Sequence, residues 1–97
     1  MINKEHIITL LKEYKKNQAE QFGVVKMGLF GSVARGSVKK DSDIDIVVEF
    51  KKRNLLNRIG LKMSLEDYLD MPVDVVAYRG DLNPLLKERI SRDVIYV

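Results

Sequence analysis

Seven consecutive residues, Ile44-Asp45-Ile46-Val47-Val48-Glu49-Phe50, are apolar at all but two positions. A run this short and this apolar is stable in water as a strand covered on both faces, or nearly so. Such a strand needs a layer of structure on each side, and the rest of the chain supplies candidates for those layers.

Residues 3–20 carry Ile7, Leu10, Leu11 and Tyr14 at helical spacing, with Asn3 placed to cap the first turn. Gly23 ends that helix, and Val24 to Phe30, rich in β-formers, reads as a strand. Gly31-Ser32-Val33-Ala34-Arg35-Gly36 then reads as a turn that opens a short helix. Residues 54–69 read as a second long helix, with Leu55, Leu56, Ile59, Met63 and Leu69 turned inward. Gly60 weakens its middle, and Ser64 with Asp67 marks an alternative start. Val73 to Tyr78 is a third strand. Asn83-Pro84 opens a last helix that runs to about Ser91, and Val94 to Val97 reads as a short edge strand. The expected class is α+β, an α/β sandwich with a small mixed β-sheet packed by helices. The chain's 97 residues suit one domain over residues 1–97.

Asp43 and Asp45 lie two apart at the start of the most apolar strand. Strand side chains alternate, so both carboxylates share one face while Ile44 and Ile46 take the other. Like charges so placed cost stability unless a cation offsets them. Carboxylate oxygens suit hard divalent ions such as magnesium or manganese. Asp74 repeats the oddity inside Val73-Asp74-Val75-Val76-Ala77. Taken alone it also fits the solvent face of an edge strand; taken with the pair it reads as the third carboxylate of one site. Three carboxylates can hold two ions about 3.5–4 Å apart, as in in-line phosphoryl displacement. Gly31 and Ser32 supply the complementary half: glycine lets a phosphate approach the backbone, the N–H groups of a helix start attract anions, and the hydroxyl adds a donor.

Two rival motifs fail. Asp41, Asp43 and Asp45 have the spacing of a calcium loop, but Ile46 and Lys52 stand where glycine and glutamate are required. Gly31 and Gly36 have P-loop spacing, but Ser37-Val38 follows in place of Lys-Ser or Lys-Thr. The absence of cysteine excludes disulfides and thiolate metal sites. A net charge of +3, scattered over the surface without an arginine block or aromatic series, makes nucleic acid an unexpected partner. No stretch approaches the roughly 18 apolar residues of a membrane span, and the first residues do not resemble a signal peptide, so a cytoplasmic location is expected.

Leu29-Phe30-Gly31-Ser32-Val33-Ala34-Arg35-Gly36 followed by Asp41-Ser42-Asp43-Ile44-Asp45-Ile46 resembles the signature of the DNA polymerase beta-like nucleotidyltransferase superfamily. The small size resembles its minimal, MntA-like branch. The resemblance implies a nucleotidyltransferase fold, triphosphate contacts at Gly31 and Ser32, and metal ligation at Asp43, Asp45 and Asp74, with magnesium (two ions, or manganese) as cofactor. It implies that the third carboxylate also helps deprotonate the acceptor hydroxyl. Many minimal members act as antitoxins that transfer AMP from ATP to a tyrosine of a HEPN-domain toxin, so ATP and a HEPN partner are expected.

Arg35, one turn beyond Ser32, is a candidate for nucleotide binding or for pairing with a carboxylate near the site. Lys39 and Lys40 are candidates to neutralise a triphosphate, although solvated loop lysines read as well, and Ser42 is a candidate to orient Asp43 or to cap a turn. His6, outside any motif, reads as a surface or partly buried residue, and Tyr78 and Tyr96 as core or edge residues. Two alternatives to protein adenylylation stay open: a non-catalytic module that neutralises a partner by binding, and nucleotidyl transfer to a small molecule.

Overall fold

The structure is a computed structural model, and it describes residues 3–38, 43–52, 54–80 and 82–97. Helix α1 (Lys4–Asn17) is followed by a 3₁₀ turn (Ala19–Phe22), strand β1 (Val24–Phe30), the one-turn helix α2 (Gly31–Ala34) and strand β2 (Ile44–Phe50). Helix α3 (Leu55–Leu69), strand β3 (Val73–Ala77), helix α4 (Pro84–Asp93) and strand β4 (Ile95–Tyr96) complete the order. The expected strands β1 and β2 are found with the bounds read from the sequence. The last helix runs two residues past Ser91, to Asp93.

The sheet is mixed, in the order β3-β2-β1-β4. β1 runs antiparallel to both β2 and β4, whereas β2 and β3 are parallel and joined through α3. A parallel pair needs a crossover of this kind, which explains why the longest helix sits between these two strands.

Side-chain alternation divides the sheet. Met27, Leu29, Ile44, Ile46, Val48, Val73 and Val75 enter one cluster with Ile7, Leu11 and Tyr14 of α1 and Leu61, Leu65 and Leu69 of α3. Phe30 and Val47 point to the opposite face, where Ile90 of α4 covers them and Val76, Leu82, Leu86 and Val94 pack around. β2 is therefore buried on both faces except at Asp45, Glu49 and the terminal Phe50.

The helix ends follow local chemistry. The Asn3 side chain accepts from the His6 N–H at 2.8 Å, as its position suggests, and His6 is exposed. Asn54 accepts from the N–H groups of Leu56 and Asn57 and so starts α3, and Asn83 accepts from Leu85 ahead of α4. These caps satisfy N–H groups that have no partner inside the helix.

One expectation is corrected. Of the α3 residues expected inward, only Leu69 is buried; Leu55, Leu56, Ile59 and Met63 are exposed. The helix carries apolar residues on two faces, and the face chosen for the core is the one through Leu61, Leu65 and Leu69. Two contacts set that choice: the Tyr14 hydroxyl donates to Ser64 at 2.9 Å, and the Phe22 ring closes on Gly60, where an added Cβ would stand 3.0 Å from it. Gly60 thus serves close packing rather than a break, and α3 continues through Ser64 without a fresh start.

Candidate active site

The β2–β3 register sets Asp45 directly beside Asp74. Register partners on parallel strands project to the same face, and neighbouring strands lie about 4.8 Å apart. Asp45 is half-buried and Asp74 is exposed on an edge strand of the sheet. Asp43, exposed, precedes β2 by one residue, so alternation turns it to the Asp45 face.

The electrostatics match this crowding. Burial pushes the Asp45 carboxyl above the usual carboxylate range, and the negative charges of Asp74 and Asp43 push it further. The guanidiniums of Arg89 and Arg35 oppose that rise. Among the described residues, no group of three His, Cys, Asp or Glu side chains is already drawn together as a metal cage. The donor set itself fits a hard divalent cation, being all carboxylate oxygen with like charges that only cations relieve.

The β1–β2 register places Phe30 opposite Asp45, which brings the next residue, Gly31, against that carboxylate. Gly31 has φ 76°, and a Cβ there would collide with the Asp45 carboxylate. Only glycine meets both demands without strain. Ser32 is half-buried one residue on, and its carbonyl accepts from the Ser37 N–H at 2.9 Å, closing the turn. The Gly31 carbonyl accepts from Arg35 N–H and that of Val33 from Gly36 N–H. Val33 and Ala34 are buried in the α1–α3 cluster, so the turn is anchored to the core by its apolar side chains.

Of the two roles open to Arg35, the structure displays pairing with a carboxylate. Its Nη1 lies 2.6 Å from Asp93 Oδ2, tying α2 to the end of α4. Arg92 reaches the other oxygen at 3.2 Å. Lys39, Lys40, Asp41 and Ser42 lie outside the described residues. Tyr78 and Tyr96 are exposed at the edges of the sheet.

Two residues of this region escaped sequence reading. Arg89 faces Asp45 with positive charge, and Asp93, with a side chain only 4% exposed, holds Arg35. Neither lies at a diagnostic spacing from the motifs. The only signal was the apolar Leu86–Ile90 spacing, which lays α4 on the carboxylate face of the sheet.

Comparison with known proteins bears on the family and the fold. The family model described as polymerase beta, nucleotidyltransferase matches residues 5–97. The protein adenylyltransferase MntA of Thermococcus cleftensis is 40% identical over 98 residues, covering 100% of this chain and 98% of its own. A solved structure provisionally named a minimal nucleotidyltransferase superposes with TM-score 0.79 at 38% identity, covering 97% of this chain and 95% of that one. A toxin–antitoxin structure solved with AMP-PNP superposes with TM-score 0.68 at 27% identity, covering 98% of this chain and 72% of that one. Among the described residues, no helix is long and apolar enough to cross a membrane. With carboxylates of two strands set beside a glycine-serine turn on this fold, the chain belongs to the polymerase beta nucleotidyltransferase family and is an enzyme of its minimal, MntA-like branch.

Proposed function

We propose that the chain transfers AMP from ATP to a hydroxyl of a partner protein, a tyrosine of a HEPN toxin, and so acts as the antitoxin of a toxin–antitoxin pair. The observation that carries this reading is the pairing of Asp45 with Asp74 against the Gly31 turn. The likeness to a named protein adenylyltransferase, and to a toxin–antitoxin structure holding an ATP analogue, supports the choice of nucleotide and partner.

Asp43, Asp45 and Asp74 are the residues that would hold magnesium, which when bound supplies neutralising charge for the triphosphate and its leaving pyrophosphate. Gly31, having no Cβ, lets the Asp45 carboxylate close against the turn, and the Ser32 hydroxyl beside it would donate to a phosphate. The acceptor oxygen forms a bond to the α-phosphorus, and the bond from that phosphorus to the bridging oxygen breaks, releasing pyrophosphate. Asp74, exposed at the sheet edge, takes the proton of the acceptor hydroxyl. Arg89 offsets carboxylate charge from the α4 side. Arg35, held by Asp93, keeps the phosphate turn fixed relative to α4 and adds positive charge near Asp45.

The test is Asp43→Asn with Asp45→Asn, assayed with labelled ATP and the co-expressed HEPN protein. Label transfer is expected to fall on the order of 10³-fold, as loss of several kcal/mol of transition-state stabilisation requires. Transfer at the wild-type rate would remove the carboxylates from the chemistry. A doubly substituted protein that still silences its partner without labelling it would favour neutralisation by binding.

A further inference from the structure

Helix α4 carries an arginine to the carboxylate end of the sheet and leaves its guanidinium unbonded. Arg89 and Asp93, four residues apart, share one side of the helix. That side faces the phosphate turn, because the Asp93 carboxylate takes Arg35, which directly follows Gly31–Ala34. Ile90, the residue after Arg89, is buried against Phe30 and Val47. Phe30 is the register partner of Asp45, and Val47 follows Asp45 on the same face, so α4 brings Arg89 to the Asp45 side. The charge of Arg89 acts on Asp45 more strongly than that of Arg35. The three arginines of this region differ in what holds them. Arg35 and Arg92 both bond to Asp93, at 2.6 and 3.2 Å. Arg89 is exposed, and among the described residues no acceptor lies within hydrogen-bonding reach of its guanidinium. A counter-charge fixed to Asp45 would close to ion-pair distance; Arg89 stands off, with its N–H fork unfilled.

We propose that Arg89 binds the leaving pyrophosphate, an inference that rests on the nucleotidyl-transfer reading above. Its neighbours set it between the two halves of the site. A helix rises about 1.5 Å per residue, so Arg89 lies about 6 Å along α4 from Asp93, the residue that clasps α2. It also faces Asp45, the carboxylate against which the Gly31 turn closes. A triphosphate that spans the turn and the carboxylates meets this guanidinium at the phosphates beyond the α-phosphorus. Negative charge grows on those oxygens as the bond to the bridging oxygen breaks, so the contact strengthens in the transition state. A guanidinium meets two phosphate oxygens at once and keeps its charge throughout. Arg35, tied to Asp93, steadies the turn, and Arg89 is the arginine left to follow the departing group.

The experiment measures, by calorimetry, the binding of pyrophosphate and of AMP, each with magnesium, to wild type, Arg89→Gln, Arg89→Lys and Arg58→Gln. Transfer from labelled ATP to the co-expressed HEPN protein is followed in parallel. Arg58 is exposed on α3, across the sheet, and its variant removes the same charge. Pyrophosphate affinity is expected to fall about thirtyfold in Arg89→Gln and to recover in part in Arg89→Lys. It is expected to stay within about twofold of wild type in Arg58→Gln, with AMP affinity unchanged in all three. Label transfer by Arg89→Gln is expected to fall about a hundredfold in kcat/KM. Unchanged pyrophosphate affinity in Arg89→Gln overturns the proposal, and tighter magnesium binding in that case makes Arg89 a counter-charge of the carboxylates alone. An equal loss in Arg58→Gln overturns it by reducing the effect to net charge, and an equal loss for AMP does so by moving the contact to the α-phosphate. Wild type that binds pyrophosphate through Arg89 but never labels the HEPN protein overturns the choice of acceptor instead and leaves this assignment standing.

Discussion

The two faces of the sheet are built to different standards. The face under α1 and α3 is filled by interlocking apolar side chains, with Tyr14 set edge-on to Tyr68 at 5.3 Å. The face under α4 is apolar only where Phe30, Val47 and Ile90 meet, and then gives way to Asp45 and Asp74 standing side by side. Alternation along β2 makes the division: Ile44, Ile46 and Val48 serve one face, while Asp45, Val47 and Glu49 serve the other. One strand can thus hold the core together and still offer an unfavourable charge cluster for use.

If that division is right, truncation hurts most on the closed face. Leu65→Ala, at a fully buried position of the larger cluster, is expected to destabilise by about 3–5 kcal/mol. Ile90→Ala, in the smaller cluster under α4, is expected to fall nearer about 2 kcal/mol. Urea titration of both variants checks the ranking, and equal losses would abolish the contrast.

The carboxylate face gives the opposite sign. The Asp45 carboxyl is raised by burial and by Asp74, so its contribution to stability is present below about pH 4 and is lost as pH rises through its folded value. Its charge therefore weakens the metal-free protein at neutral pH. Asp45→Asn is expected to raise Tm by roughly 2–4 °C in the presence of EDTA, after allowance for solvent screening. A lowered Tm would mean that Asp45 anchors the fold rather than burdening it.

The smallest effect belongs to the clasp between α2 and α4. Hydrogen bonding from Arg92, then from Arg35, holds the Asp93 carboxyl below the usual carboxylate range. Its stabilising contribution is complete above about pH 4 and is lost as pH falls through the folded value. Asp93→Asn should flatten the acid limb of a Tm-against-pH curve while leaving the limb above about pH 6 parallel to wild type. An unchanged acid limb would reduce the clasp to a surface contact.

How much of this was legible depends on what each feature needed. β1 and β2 were read with their observed bounds because their apolar runs end at glycine, polar residues or charge. The carboxylate pair was legible because period-two alternation is nearly a geometric identity. The inward face of α3 was not, because two apolar stripes compete on one helix and the winner is decided by Gly60 meeting Phe22 and Ser64 meeting Tyr14, contacts distant in sequence. The same reason hid Asp93, whose partner Arg35 lies 58 residues away. Local pattern reports what a segment offers; tertiary contact selects which offer is taken.

The parallel pairing of β2 with β3 has one more consequence. The alignment that sets Asp74 next to Asp45 also turns Val73 and Val75 into the core. A one-residue slip would drown two valines and send the aspartate into the oily interior, so a slipped chain fails to fold. Folding energy that rejects a one-residue slip therefore also guards the juxtaposition of those two carboxylates.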